Sequence, residues 1–594
     1  MTVKDRTGFL LTRREFVVSS GVAVIAASCD DSSGSNNANN TNNVNNNNDA
    51  GTDADIIDAQ PDTGEDENIA PPPERPTTTV KETIRGVLLE TAQLEDLRPA
   101  FGLTKTEAGE SHIDRDDLDA ISVSNGASAE PSSLAYFVHM TDIHVTDEES
   151  PARMIHSWIA EGSAWRPQEA WSSHVFNGAI ATVNEFAAVR PMDFLIFSGD
   201  LTDNKHYIEL RWFLDAIEGN TINPDTGDDD DPRAPGLPDP HDPYPGAGLH
   251  PDVKWFAIQG NHDLLALGNF DTLDFAVADP EGTTPTFAMS DAAIPTCFAD
   301  NLDPGACVDG SCYSETPDRC FIPASDSYYQ VHSTVADPNR HWIDRMAWIN
   351  MVIDSNTHGP SGHGFNNDNL VEERSYWRHD EPVPGLPIAL LGLDSSSAGG
   401  VTASAAGTFS QEQLDWLIEQ LDDLASLNKL IVVTSHHCSR DFGTNTNAFR
   451  AALHACPNVV LHVTGHHHDN EIMPWPAPGG MDPWHGYYEI QNCGLLDWPQ
   501  QMRFYELVNL GDGTGIIYST MVNIHMEPGT TLEAARFYTL IHVQEGIGDM
   551  GSGEETDRNV AMHIAFPPSM IPVLNALPHR EVETDHFIKQ GESK

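Results

Sequence analysis

Six short apolar runs, rich in β-branched and aromatic residues, punctuate the middle of the chain, and a polar residue able to bind a metal follows each. They are "LAYFVHMTDIHVTDEE" (134–149), "MDFLIFSGDLTDN" (192–204), "VKWFAIQGNHD" (253–263), "PIALLGLDSS" (387–396), "KLIVVTSHHC" (429–438) and "NVVLHVTGHHHDN" (458–470). Runs of this length and composition predict buried strands. Between them, "QEAWSSHVFNGAIATVNEFAAV" (168–189) and "SQEQLDWLIEQLDDLASL" (410–427) repeat apolar residues at three- and four-residue spacing, which predicts helices. Ser410 with Gln413 three residues on predicts a capping box for the second helix. Strands alternating with helices imply an α/β fold with parallel strand pairs covered on both faces. The polar strand ends then converge on one crevice at the carboxyl edge.

The chemistry at those ends is uniform. Asp142 and His144, Asp200 and Asp203, Asn261-His262-Asp263, His436-His437 and His466-His467-His468 supply carboxylate, imidazole and amide oxygen. No thiolate occupies a motif position. Such a donor set suits zinc, iron or manganese. It exceeds what one tetrahedral ion needs, and a carboxylate can bridge two ions held about 3.5–4 Å apart. In an extended segment, residues 466 and 468 point to one side and His467 to the other, so His467 is expected to face away. His437 is expected in a surface or supporting role. His139 and His462 lie inside strands and read as core histidines, and Asp394 reads as a cap.

The ordered set D-x-H, GD-x-x-D, GNHD, H and GHxH, spread over residues 134–510, resembles the calcineurin-like metallophosphoesterase superfamily. The stretch "YYEIQNCGLLDWPQQMRFYEL" (487–507) resembles an exported bacterial branch of it. The resemblance implies an α/β, four-layer α/β/β/α sandwich with a long insertion. It implies two divalent or trivalent metal ions (Fe, Mn or Zn), the first held by Asp142, His144 and His468. Asn261, His436 and His466 would hold the second, with Asp200 bridging both; the choice of His436 over His437 rests on this match. His262 matches the family's catalytic histidine, and Asp203 would orient it. The implied activity is hydrolysis of a small phosphomonoester or phosphodiester by attack of metal-bound hydroxide. Two rivals fit less well. A metallo-β-lactamase-type zinc site matches His466 and His468, but Asn470 stands where an Asp is required and GNHD is left unexplained. A non-enzymatic exported metal-binding lipoprotein leaves the complete donor set and His262 without a purpose.

The ends of the chain add an address. "TRREFVVSSGVAVIAASC" (12–29) pairs Arg13 and Arg14 ahead of an apolar stretch too short to span a bilayer comfortably. It resembles a twin-arginine export signal, and the small residues before Cys29 resemble a lipoprotein cleavage box. Export to the periplasm or cell surface with a lipid anchor is the expectation. Residues 30–80 form an Asn/Asp-rich linker without an apolar period, 81–510 the metallophosphoesterase domain, and 511–594 a sheet extension and tail. An insertion over about 264–385 carries Cys297, Cys307, Cys312 and Cys320, read as two disulfides, and is a candidate lid over the metals. Within it, His363 and Arg378 are candidates to reach substrate, with a plain loop role favoured. The acidic loop 223–246 reads as solvated rather than calcium-binding. Cys438, Cys456 and Cys493 leave an odd count with no deducible pairing. With 31 Lys+Arg against 90 Asp+Glu, a net charge of −59 disfavours a long nucleic-acid partner. A small phosphate ester remains compatible, because bound cations dominate the local field. Nothing in the sequence sets an oligomeric state.

Overall fold

The computed structural model describes residues 76–87, 104–127, 129–150, 166–226, 239–269, 337–355, 357–397, 404–526, 529–544 and 551–588. The apolar runs form the centres of two mixed sheets. One, of seven strands, runs edge to edge through β3 (Ile113–Arg115), β19 (Val560–Ala565), β18 (Thr514–Asn523), β17 (Gln501–Asn509), β4 (Ser132–Met140), β5 (Phe194–Phe197) and β8 (Lys254–Ala257). The other, of six, runs through β15 (Glu471–Trp475), β16 (Tyr487–Gln491), β14 (Val459–Thr464), β13 (Leu430–Thr434), β10 (Ile388–Gly392) and β9 (Trp377–His379). Three small antiparallel pairs complete the strands: β1 (Glu82–Gly86) with β2 (Thr104–Ala108), β6 (Thr221–Ile222) with β7 (Tyr244–Pro245), and β11 (Ser396–Ser397) with β12 (Ser404–Gly407). Strands β4, β5 and β8 are mutually parallel neighbours, as are β10, β13, β14 and β16, so each sheet brings several carboxyl ends to one edge.

Alternation along the strands decides what each face meets. Ala389, Leu391, Ile431 and Val433 pack on Leu414, Leu417 and Leu453 from the helices Gln411–Ser426 and Thr446–Ala455. Their neighbours Ile388, Leu390, Leu430 and Val432 join Ala135, Phe137 and Phe194 of the seven-stranded sheet in one core. Helices Ser172–Val189 and Tyr207–Glu218 meet β5 through Phe176, which stacks on Phe213 at 4.6 Å and meets Phe197 edge-on at 5.7 Å. Burial of each such ring contributes roughly 1.5–3 kcal/mol.

Local expectations fare unevenly. Ser410 Oγ accepts the Gln413 amide at 3.1 Å, but the Gln413 side chain turns to the backbone of Asp394, so only half of the capping box forms. Asp394 is not a helix cap. It pairs with Arg345 and accepts Ser375 Oγ at 2.6 Å and the Ser396 amide at 3.0 Å. The segment read as an insertion supplies β9, an edge strand of the six-stranded sheet, as well as the helix Arg345–Ile353. His363 stacks on Trp255 at 3.5 Å, and Arg378 is held by Asp380 and Asp423, so both serve packing. His139 and His462 are fully buried and bonded to Ser198 and Ser435 at 2.7 Å. Cys438, Cys456 and Cys493 are free and buried. Arg13, Arg14, Cys29, residues 30–75 of the linker, Cys297, Cys307, Cys312 and Cys320 and residues 227–238 of the acidic loop lie outside the described residues, while Thr78, Thr79 and Val80 at the linker's end are buried.

Candidate metal centre

The site forms where the carboxyl ends of both sheets meet. Strand β4 leads into Asp142 and His144, β5 into Asp200, and β8 into Asn261 and His262. From the other sheet, β13 leads into His436 and β14 into His466 and His468. Asp142, His144, Asp200 and His436 are at most 1% exposed.

The side chains reach one point because the chain turns sharply past each strand. Asp142, His144, Asp200, His466 and His468 all adopt left-handed backbone conformations, with φ of 51°, 48°, 51°, 77° and 57°. A non-glycine residue pays about 1–2 kcal/mol there, and such strain gathers at functional sites. Hydrogen bonds hold the turns: Ile143 N and His144 N both donate to Asp200 O, at 2.8 and 3.0 Å. Gly199 (φ 98°) is required, since a Cβ there would stand 2.7 Å from Gly260 N. Asp263, the last residue of GNHD, binds the β5 and β8 turns together by accepting the amides of Gly260 at 2.8 Å and of Leu201 and Thr202 at 3.1 Å.

This corrects the reading of the GHHH segment. Residues 466 and 468 do not share a side by strand alternation, because the chain has left the extended conformation at Gly465. Two left-handed turns aim them instead at adjoining groups, His466 at Asn261 and His468 at Asp142 and His144. His467 does face away, with Nε2 2.8 Å from Asp441 Oδ2. His437 spends both ring nitrogens on Ser395 Oγ (3.0 Å) and Ala405 O (2.9 Å).

Donor atoms converge in two overlapping groups. His468 Nε2 lies 3.1 Å from both Asp142 Oδ1 and His144 Nε2. Asn261 Oδ1 lies 3.1 Å from His436 Nε2 and 3.1 Å from His466 Nδ1. Asp200 Oδ2 stands between the groups, 3.1 Å from His436 Nε2 and 4.0 Å from His144 Nε2. Each carboxylate has one oxygen fixed and one presented. Asp200 Oδ1 accepts the His262 amide at 2.8 Å, and Asp142 Oδ2 accepts the His466 amide at 2.9 Å. Oxygen and nitrogen donors about 2.1 Å from an ion stand roughly 3 Å apart, which is the spacing seen.

Electrostatics make the same demand. Burial alone would raise Asp142 and Asp200, but His468 and His436 beside them hold both well below the usual carboxylate range. In turn, burial opposes charge on His436 and His468, yet the adjacent carboxylates raise them to about 9 and about 10. Two imidazolium protons thus balance two buried carboxylates where cations would do so. Burial, with Arg166 and His262 nearby, lowers His144 to about 4, which leaves it a neutral ligand. The residues therefore fit a pair of divalent ions.

Behind the donors lies a second set of groups, only partly foreseen. Asp203 Oδ1 is 2.8 Å from His144 Nδ1 and 3.2 Å from His262 Nδ1. Asp497 Oδ2 is 2.5 Å from His468 Nδ1. Arg166, 1% exposed, joins the two carboxylates, 3.1 Å from Asp203 and 3.3 Å from Asp497, and Gln168 donates to Asp497 at 2.7 Å. Arg166 carries no motif signal, and Asp497 lies within the stretch 487–507 without being singled out there. Asn470 accepts from buried Arg503 at 2.6 Å and caps Cys493 N at 3.1 Å, a structural role that leaves the lactamase reading without its carboxylate.

Comparison with known protein families finds no match, and comparison with curated proteins finds none. Among solved structures the chain is similar to a dimetal phosphatase from Danio rerio, with 11% identity and a TM-score of 0.32, over 66% of this chain and 100% of that one.

Proposed function

We propose that the chain is a dinuclear-metal phosphoesterase of the calcineurin-like kind, built as a four-layer α/β/β/α sandwich. It acts on a small phosphomonoester or phosphodiester outside the cytoplasm, from a lipid anchor at Cys29. The observation that carries the reading is the pair of overlapping donor groups sharing Asp200, with His262 held against them.

Two bound cations would supply the charge that draws in a phosphoryl group and lowers the pKa of water. The chain's own residues do the rest. His262 packs edge-on against His144, ring centroids 4.5 Å apart, and is 4% exposed. Its Nδ1 donates to Asp203 O at 2.9 Å and faces Asp203 Oδ1, so Nε2 is the ring atom left to meet substrate. The Asp203 carboxylate stabilises the imidazolium, which donates its Nε2 proton to the departing oxygen. Arg166 pairs with that carboxylate at 3.1 Å.

The test is metal analysis of purified protein with a panel of chromogenic mono- and diesters, nucleotides and head-group esters, assayed with and without chelator and manganese. Two ions per chain and chelator-sensitive hydrolysis are expected. A fully loaded protein that hydrolyses none of them would favour the metal-binding lipoprotein.

A further inference from the structure

The histidine that faces away from the metal pair lies beside two further donors. His467 Nε2 lies 2.8 Å from Asp441 Oδ2, and with Cys438 Sγ these form a group whose ligand atoms all lie within 4.8 Å of one another. We propose that Cys438, Asp441 and His467 form a third cation site, with a thiolate–imidazole–carboxylate set that selects zinc, on the outward face of the two histidine-bearing turns.

The chemistry differs from that of the pair. The paired site is assembled from oxygen and nitrogen alone, whereas this one has sulfur, and thiolate ligands favour zinc or cobalt over magnesium and manganese. A thiolate and a carboxylate balance one divalent charge, and His467 completes the set as a neutral donor. Cys438 is free and fully buried, forming the floor. The His467 and Asp441 side chains, 28% and 26% exposed, form the rim. Three protein donors with an open side are the arrangement of zinc sites that keep a water ligand.

The sulfur is placed by hydrogen bonds. Cys438 Sγ donates to Gln491 Oε1 at 3.0 Å and lies 3.2 Å from Thr464 Oγ1, bonds that hold it as a thiol until an ion displaces the proton. Arg440 is committed to Glu471 at 2.5 Å and Gln491 at 3.0 Å, and Arg450 to Ser439 Oγ at 2.9 Å. Zinc holds sulfur at about 2.3 Å and nitrogen at about 2.0–2.1 Å, so the group must close by on the order of 1 Å. Binding displaces the thiol proton and replaces the His467–Asp441 hydrogen bond. His467 lies between His466 and His468, and Cys438 follows His436 by two residues. An ion here therefore ties together the two turns that deliver those donors.

The test uses the full, metal-stripped chain titrated with cobalt(II), following metal stoichiometry and the near-ultraviolet sulfur-to-cobalt charge-transfer band. The wild type should take three ions per chain, one of them with the band, and only two manganese ions. Cys438→Ser and His467→Ala should each take two cobalt ions and show no band. His467→Ala alters a partly exposed residue, so it keeps the test decisive should the buried serine misfold. A wild type without the band, or a band that survives His467→Ala, overturns the proposal. If the dinuclear reading is the one at fault, the band persists on a single bound cobalt.

Discussion

Arg166 is the residue whose removal tests the architecture of the centre most sharply. It touches no proposed metal ligand, yet it joins Asp203 and Asp497, at 3.1 and 3.3 Å. In Arg166→Met both carboxylates stay buried without this guanidinium, and breaking a buried pair from one side costs about 3–5 kcal/mol. Asp203 abuts His144 Nδ1 and Asp497 abuts His468 Nδ1, so the ligands of one ion lose their orientation. His144 also loses one cause of its lowered pKa, after burial the largest, and a protonated imidazole cannot bind metal. Supporting groups of this kind are worth about 10–100-fold in metal affinity, or roughly 1.4–2.7 kcal/mol. The ligands of the other ion, Asn261, His436 and His466, do not touch Arg166, so its affinity should change by less than about threefold. Calorimetric titration of metal-stripped protein with zinc should show one step weakened and the other kept. Arg166→Lys should recover part of the loss. Circular dichroism checks that the variant is folded. Two unchanged steps, or two steps weakened alike, would refute the reasoning.

Other outcomes follow from the same geometry. Asp200→Ala should lower occupancy of both ions of the pair, since Asp200 Oδ2 is shared, whereas His467→Ala should spare the pair; elemental analysis with manganese reads the difference. His262→Ala should keep both ions and lose about 10²-fold or more in kcat on alkyl esters, and less on nitrophenyl esters, which need little protonation. His436 and His468 are raised above the unfolded value to about 9 and about 10. Their contribution to the metal-free protein is complete below about pH 6.5 and lost as pH rises through those values. Melting temperature of stripped protein should therefore fall from pH 7 to 10, while manganese affinity rises over that window as fewer protons compete. Mass spectrometry of the membrane fraction should find a lipid-modified N-terminus at Cys29; intact protein in cytosol starting at Met1 or Thr2 would remove the anchor.

Much of this protein is written locally. Apolar runs such as FLIF and LIVVT can satisfy backbone and side chains together only as buried strands, and both appear as β5 and β13. The donor residues that follow them are legible because a turn after a parallel strand must open at the carboxyl edge. Tertiary structure decided how those donors aim. His466 reaches Asn261 and His468 reaches Asp142 because each sits in a left-handed turn, at φ 77° and 57°, a conformation that no residue pattern reports. Asp394 looked like a cap until Arg345 and Ser375, distant in sequence, claimed its carboxylate. The pairing of Arg166 with Asp497 was invisible for the same reason. A buried ion pair between residues 166 and 497 leaves no periodicity, since its partners are chosen by packing across the whole chain and not by spacing along it.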